Sequence, residues 1–152
     1  FFGRAWCRKE GAEHGLKMDF VQSNVGFSRR GHTLRGMHYQ LAPHAEVKLV
    51  RCTRGAVLDV VVDLRPSSPT HRAWFGVELT ADNRRSLYLP EGTAHGYLTL
   101  TDDSEIVYET TALYAADAAR GVRYDDPAFA IEWPAAPVVI SERDRTWPGY
   151  GG

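Results

Sequence analysis

The chain has 152 residues, 18 Lys and Arg against 19 Asp and Glu, and a formal net charge of −1. That length suits one domain over residues 1–152, and that charge gives no global pull toward nucleic acid or an anionic membrane. No apolar run approaches the roughly 20 residues needed to span a bilayer. Two cysteines, Cys7 and Cys52, lack the spacing of a zinc or redox motif and are expected to be small buried side chains in a reducing cytoplasm. The sequence opens on Phe1-Phe2-Gly3 with no methionine, so further N-terminal residues are expected to be missing.

Residues 8–15 are polar with an alanine and a closing glycine, enough for one or two helical turns. Short strands follow. Met18 to Gln22 reads as a strand, Ser23-Asn24 as a turn, and Val25-Gly26-Phe27 as the next segment. Thr33 to Gln40 is a strand ended by Leu41-Ala42-Pro43-His44. Val47 to Thr53 alternates, Arg54-Gly55 makes a corner, and Ala56 to Leu64 sets Leu58, Val60 and Val62 on one face. Pro66 to Pro69 is a loop. Strands are expected over Ala73 to Thr80, Ser86 to Leu89, Ala94 to Leu100 and Glu105 to Thr111, and Ala115 to Ala119 has helical composition. Nine or ten short strands at this spacing predict an all-β jelly roll, whose open mouth would take a small ligand.

Within Thr33 to Gln40, Gly36 costs strand stability and so marks a geometric need. Strict alternation sends Arg35 and His38 to opposite faces; a bulge at Gly36 brings both to one face. Such a histidine is either a packed core residue or a general base.

Pro90-Glu91-Gly92-Thr93-Ala94-His95 has the form Pro-x-Gly-x-x-His and resembles the second motif of the cupin barrels. Where the first motif usually brings His-x-His, this chain has His38-Tyr39-Gln40, with Glu46 the only nearby acid. One metal-binding histidine is thereby replaced, which favours a metal-free cupin-type jelly-roll barrel with short peripheral helices. The resemblance sharpens in further runs, taken in order: Leu34 to Gln40, Pro43-His44, Lys48 to Arg51, Arg54 to Ala56, Asp59 to Arg65, Ser68-Pro69, Pro90 to Gly96, Tyr108-x-Thr110-Thr111 and Ser141 to Asp144. Together they resemble the dTDP-4-dehydrorhamnose 3,5-epimerase family across nearly the whole chain.

The resemblance implies inversion of carbons flanking the ketone of a dTDP-4-keto-6-deoxy sugar, with no metal or organic cofactor. Such chemistry needs a base, an electrophile for the enolate oxygen and an acid on the other face. His38 would be the base, Asp144 its carboxylate partner, Lys48 the electrophile and Tyr108 the acid. Arg35 and His95 resemble the family's diphosphate and sugar contacts, Gln22 and Asn24 its nucleotide-facing polar residues, and Arg143 stands where lysine is common. The family also implies a homodimer in which N-terminal strands are exchanged. Arg4, Glu109 and Ala119 depart from the family pattern around the expected nucleotide and sugar contacts, which leaves open the sugar and whether C3, C5 or both are inverted. Two other readings compete. One is a metal cupin using His38, His44 and His95, which Gln40 argues against. The other is a non-catalytic nucleotide-sugar binding module, which the joint presence of His38, Lys48, Tyr108 and Asp144 argues against.

Overall fold

The computed structural model describes residues 1–151. Two antiparallel sheets make a jelly roll. Strands β1 (Gln22–Ser28), β8 (Ser104–Thr110), β3 (Lys48–Arg54) and β6 (Ser86–Leu89) form the first, in the order β1-β8-β3-β6. The second runs β10 (Val139–Ile140), β2 (Thr33–Gln40), β7 (Thr93–Thr99), β4 (Ala56–Asp63) and β5 (Trp74–Thr80), with β9 (Ala119–Gly121) paired to β2. All pairings are antiparallel except β10 with β2. Two short helices lie outside the sheets, α1 (Arg8–Glu13) and α2 (Glu142–Arg145).

Alternation along each strand divides the apolar residues into two layers. Val50, Cys52, Val57, Leu79, Leu89, Tyr97 and Ile106 come from both sheets and fill one end of the space between them. On the outer side of the larger sheet, Val60, Val62 and Ala94 pack with Met37 beneath Val122 and Phe129 of the C-terminal segment. Leu58 joins that outer layer, so Leu58, Val60 and Val62 share a face as their spacing requires. The segment after β9 thus wraps the barrel and returns through β10, which lies parallel to Thr33 and Leu34 of β2.

Several local expectations are corrected. Ser23 and Asn24 are not a turn: β1 passes straight through them, and residues 18–21 precede the strand. Ser23-Asn24 has turn composition, but β1 turns the polar Gln22 and Asn24 inward, while Val25 and Phe27 on its outer face are exposed. Residues 115–119 form turns leading into β9 rather than a helix. Cys52 is buried in the core, but Cys7 is only half-buried.

Candidate active site

The site begins at the irregularity in β2. Arg35 pairs with Tyr97 and His38 with His95, and the register shifts between the two pairs. Gly36 has φ +142°, and a Cβ there would lie 2.5 Å from the Cα of Gly96 on the neighbouring strand. Only glycine fits this backbone and this approach. Met37 turns outward into the C-terminal layer, while Arg35 and His38 both face the space between the sheets. The bulge expected at Gly36 is therefore present and has the expected effect.

His38 is held from behind. Its Nε2 lies 2.6 Å from Asp144 Oδ1. The parallel β10–β2 pairing carries α2 up to β2, and Ser141 caps the helix by accepting from the Asp144 N–H at 3.0 Å. Asp144 is buried, not solvated as its polar surroundings in the sequence suggest. Burial alone would raise its pKa; the hydrogen bond and charge of His38 and the Gly36 N–H outweigh that and hold the carboxyl below its ordinary value. The edge of Trp147 packs on the His38 ring at 6.2 Å between centroids. Trp147 occupies the space a side chain at Gly121 would need, since a Cβ there would meet the indole at 2.2 Å.

Facing His38, β3 and β8 of the other sheet contribute Lys48 and Tyr108. Val50 pairs with Tyr108 and Lys48 with Thr110, so Lys48, Tyr108 and Thr110 share the inner face. Burial chiefly, and the charge of Glu46, push the Tyr108 phenol above its ordinary pKa, while Arg35 pulls the other way. A cavity of about 480 Å³ is lined by Arg35, His38, Lys48, His95, Tyr97 and Tyr108, among others. A smaller one of about 130 Å³ shares His38, Lys48 and Tyr108 and adds Gln22, Gln40, Glu46, Ala119, Arg120 and Arg143. Arg143 also stacks over Trp147 at 4.9 Å. Asn24 pairs with Tyr108 across β1 and β8; its Oδ1 accepts from Gln22 at 3.0 Å, and its buried Nδ2 has no protein partner. The predicted residues thus converge on two joined cavities, with Asp144 behind them and Asn24 at their side. Glu109 does not join them: it pairs with Leu49 and Ser23 and projects from the other face of β8.

The sequence reading missed two features. His95 Nε2 lies 3.0 Å from Asp59 Oδ2, a second histidine–carboxylate pair with Asp59 fully buried. A lone acid within Val57–Val62, otherwise wholly apolar, was the available signal, because a buried carboxylate requires a partner. The other feature is Gln40, in the position of a cupin metal ligand. Its Nε2 donates to the His44 carbonyl at 3.0 Å and to Glu46 at 3.2 Å, and its Oε1 accepts from the Ala115 N–H at 2.7 Å. Gln40 organises loops where the cupin pattern would place metal. Among the described residues, no three His, Cys, Asp or Glu side chains are grouped to hold a metal ion, and His44 is exposed on its loop. The metal-cupin reading therefore lacks its ligand set.

A jelly roll whose cavity gathers a histidine–carboxylate pair, an ammonium and a phenol has a cupin-like fold. The chain belongs to the dTDP-4-dehydrorhamnose 3,5-epimerase family, which it matches over residues 1–151. It is 47% identical over 148 residues to the dTDP-4-dehydrorhamnose 3,5-epimerase of Sinorhizobium fredii, covering 97% of this chain and 74% of that protein. The crystal structure of the Bacillus anthracis dTDP-4-dehydrorhamnose 3,5-epimerase with TDP and PPi bound superimposes with a TM-score of 0.94 at 40% identity, covering 97% of this chain and 85% of that one. A 3'-monoepimerase of Streptomyces bikiniensis in complex with dTDP-quinovose superimposes at 0.85 and 37% identity, covering 93% of this chain and 71% of the other.

Proposed function

We propose that this protein epimerises a dTDP-4-keto-6-deoxy sugar through an enolate, in deoxysugar and rhamnose biosynthesis, and that residues 1–152 form a single epimerase domain. The observation that carries this reading is the placement of base and acid on opposite walls. His38 stands on the larger sheet and Tyr108 on the smaller, across one cavity. A sugar ring between them loses a proton to one face and gains one on the other, which is what inversion requires. His38 takes the proton adjacent to the ketone on Nδ1, the nitrogen that Asp144 leaves open, and Asp144 stabilises the resulting imidazolium. Lys48 neutralises the enolate oxygen, and Tyr108 returns a proton from the far wall.

Arg35 and Arg143 take the diphosphate, with Gln22 and Asn24 toward the nucleotide; His95, fixed by Asp59, contacts the sugar. The relative with TDP and PPi bound supports a nucleotide end for the cavity. No metal or organic cofactor enters this scheme, so dialysis against a strong chelator is expected to leave turnover unchanged. Loss of activity on chelation, restored by one transition metal, would sink it. The protein acts as a homodimer in this reading, supported by exposed Val21, Val25 and Phe27 along the edge strand β1 and its approach. It acts in the cytoplasm, where sugar nucleotides are made and used. The deciding experiment is incubation with dTDP-4-keto-6-deoxyglucose in deuterated water, followed by proton NMR. Deuterium at C3 and C5 with inversion at both marks a 3,5-epimerase, inversion at one carbon marks a monoepimerase, and no exchange rejects the reading. The fold itself serves both outcomes, since the 3'-monoepimerase shares it.

A further inference from the structure

One carboxylate in the cavity wall has no part in the proton-transfer scheme above. Glu46, in the connection between β2 and β3, places Oε1 3.1 Å from Lys48 Nζ, and the two side chains are only 11% and 12% exposed. The other carboxylate oxygen accepts from Gln40 Nε2 at 3.2 Å. Gln40 is itself immobilised, donating to the carbonyl of His44 and accepting from the Ala115 N–H. An amide anchored to two separate connections therefore fixes a carboxylate, and that carboxylate fixes the ammonium. A carboxylate this deeply buried is tolerated only with partners, and Lys48 and Gln40 are the two it has.

We propose that Glu46 is a positioning residue, locked by Gln40, that holds the Lys48 ammonium at the wall of the cavity where the enolate oxygen forms. The inference rests on the epimerase reading. Lysine is a point charge on a flexible stem, and its value as an electrophile depends on being in place before the proton leaves. Glu46 restricts that stem while leaving the remaining ammonium protons free for substrate. The same carboxylate lines the cavity with Tyr108. The charged and titratable groups that line the two cavities with the phenol are Glu46, Arg35, His38, Lys48, His95 and Tyr97, with Tyr39, Tyr114, Arg120 and Arg143. Of these, Glu46 adds to the effect of burial in keeping the phenol protonated, and Arg35 opposes it.

The test compares Glu46→Ala and Glu46→Gln with the unaltered protein, using deuterium uptake and inversion of dTDP-4-keto-6-deoxyglucose across pH. Glu46→Ala is expected to lower kcat on the order of 10²-fold with KM unchanged, as misplacement of a reacting group does. Glu46→Gln keeps an oxygen for Lys48 and is expected to recover most of that loss. Its alkaline limb of inversion should begin at lower pH, because one of the influences raising the Tyr108 pKa is gone. Circular dichroism establishes folding; if the alanine variant is unfolded, Glu46→Asp, which keeps the charge but draws it back from Lys48, supplies the kcat comparison. Wild-type kcat in a folded alanine or aspartate variant, or a rise in KM alone, would overturn the role of Glu46. Absence of exchange in the unaltered protein would instead overturn the epimerase reading and the inference with it.

Discussion

On the proposed mechanism His38 and Tyr108 do separable work, and single substitutions should pull the two steps apart. Asparagine at position 38 keeps an amide near Asp144 but cannot take a proton. His38→Asn should cut deuterium uptake at both carbons on the order of 10²–10⁴-fold without changing the far-ultraviolet circular dichroism; near-normal exchange in the folded variant would move the base to His95, the cavity's other histidine. Tyr108→Phe keeps the ring that packs against the inner core and removes only the donor. A phenol's ordinary pKa is about 10, and in the fold it is higher still, so the acid is protonated throughout the neutral range. The enolate should still form in this variant and be re-protonated by His38 from the original face. Proton NMR in deuterated water should then show label entering the sugar with little inversion. Joint loss of exchange and inversion would assign Tyr108 to binding or deprotonation, and full inversion would assign the acid elsewhere.

Strand β2 shows why elements, more than isolated residues, made this site legible. Its limits, Thr33 to Gln40, follow from the sequence, as does the irregularity at Gly36, because a glycine inside an apolar strand weakens it and so marks a bulge or a close backbone approach. Gly36→Ala should confirm the role: the φ of +142° and the contact with Gly96 cannot accept a Cβ. A loss of about 1–3 kcal/mol is expected from the backbone conformation alone, read from the urea midpoint. Exchange activity should fall further than stability, because Arg35 and His38 lose their common face. Other elements were not legible, for physical reasons. Ser23 and Asn24 carry turn-like side chains whose strand pairing with β8 is set more than 80 residues away in sequence. Ala115 to Ala119 has helical propensity, but the pairing of Ala119–Gly121 with β2 overrides it. The burial of Asp144 was not legible from its own neighbourhood, because it depends on the two-residue β10, too short to leave a pattern. Asp59 could have been found, since a single acid in an apolar strand is a signal that periodicity counts pass over.

At the scale of the whole molecule, acid should weaken the fold through carboxylates tied into it. Asp63, at the end of β4, accepts from Arg65, Ser68 and Thr70. Led by the Arg65 hydrogen bond and despite burial, these partners hold its pKa far below the ordinary carboxylate range. Asp144 is shifted the same way. A folded pKa below the unfolded one gives stability that is complete above the unfolded value, about 4, and is lost as pH falls through the folded value. Denaturant midpoints should therefore decline below about pH 4. Asp63→Asn should flatten that decline and lower stability at pH 7 by about 1–3 kcal/mol; an unchanged acid slope would remove Asp63 from the explanation. The C-terminal wrap has a different consequence, one of timing. His38 and Asp144 stand 106 positions apart, and every strand of the smaller sheet is complete by Thr110. During synthesis the barrel wall is therefore made before the carboxylate that, on the proposed mechanism, arms its base. Chemical competence comes last, so a single nick between β9 and β10 is expected to silence turnover before it dismantles the wall, and catalysis reports on whether the chain is whole.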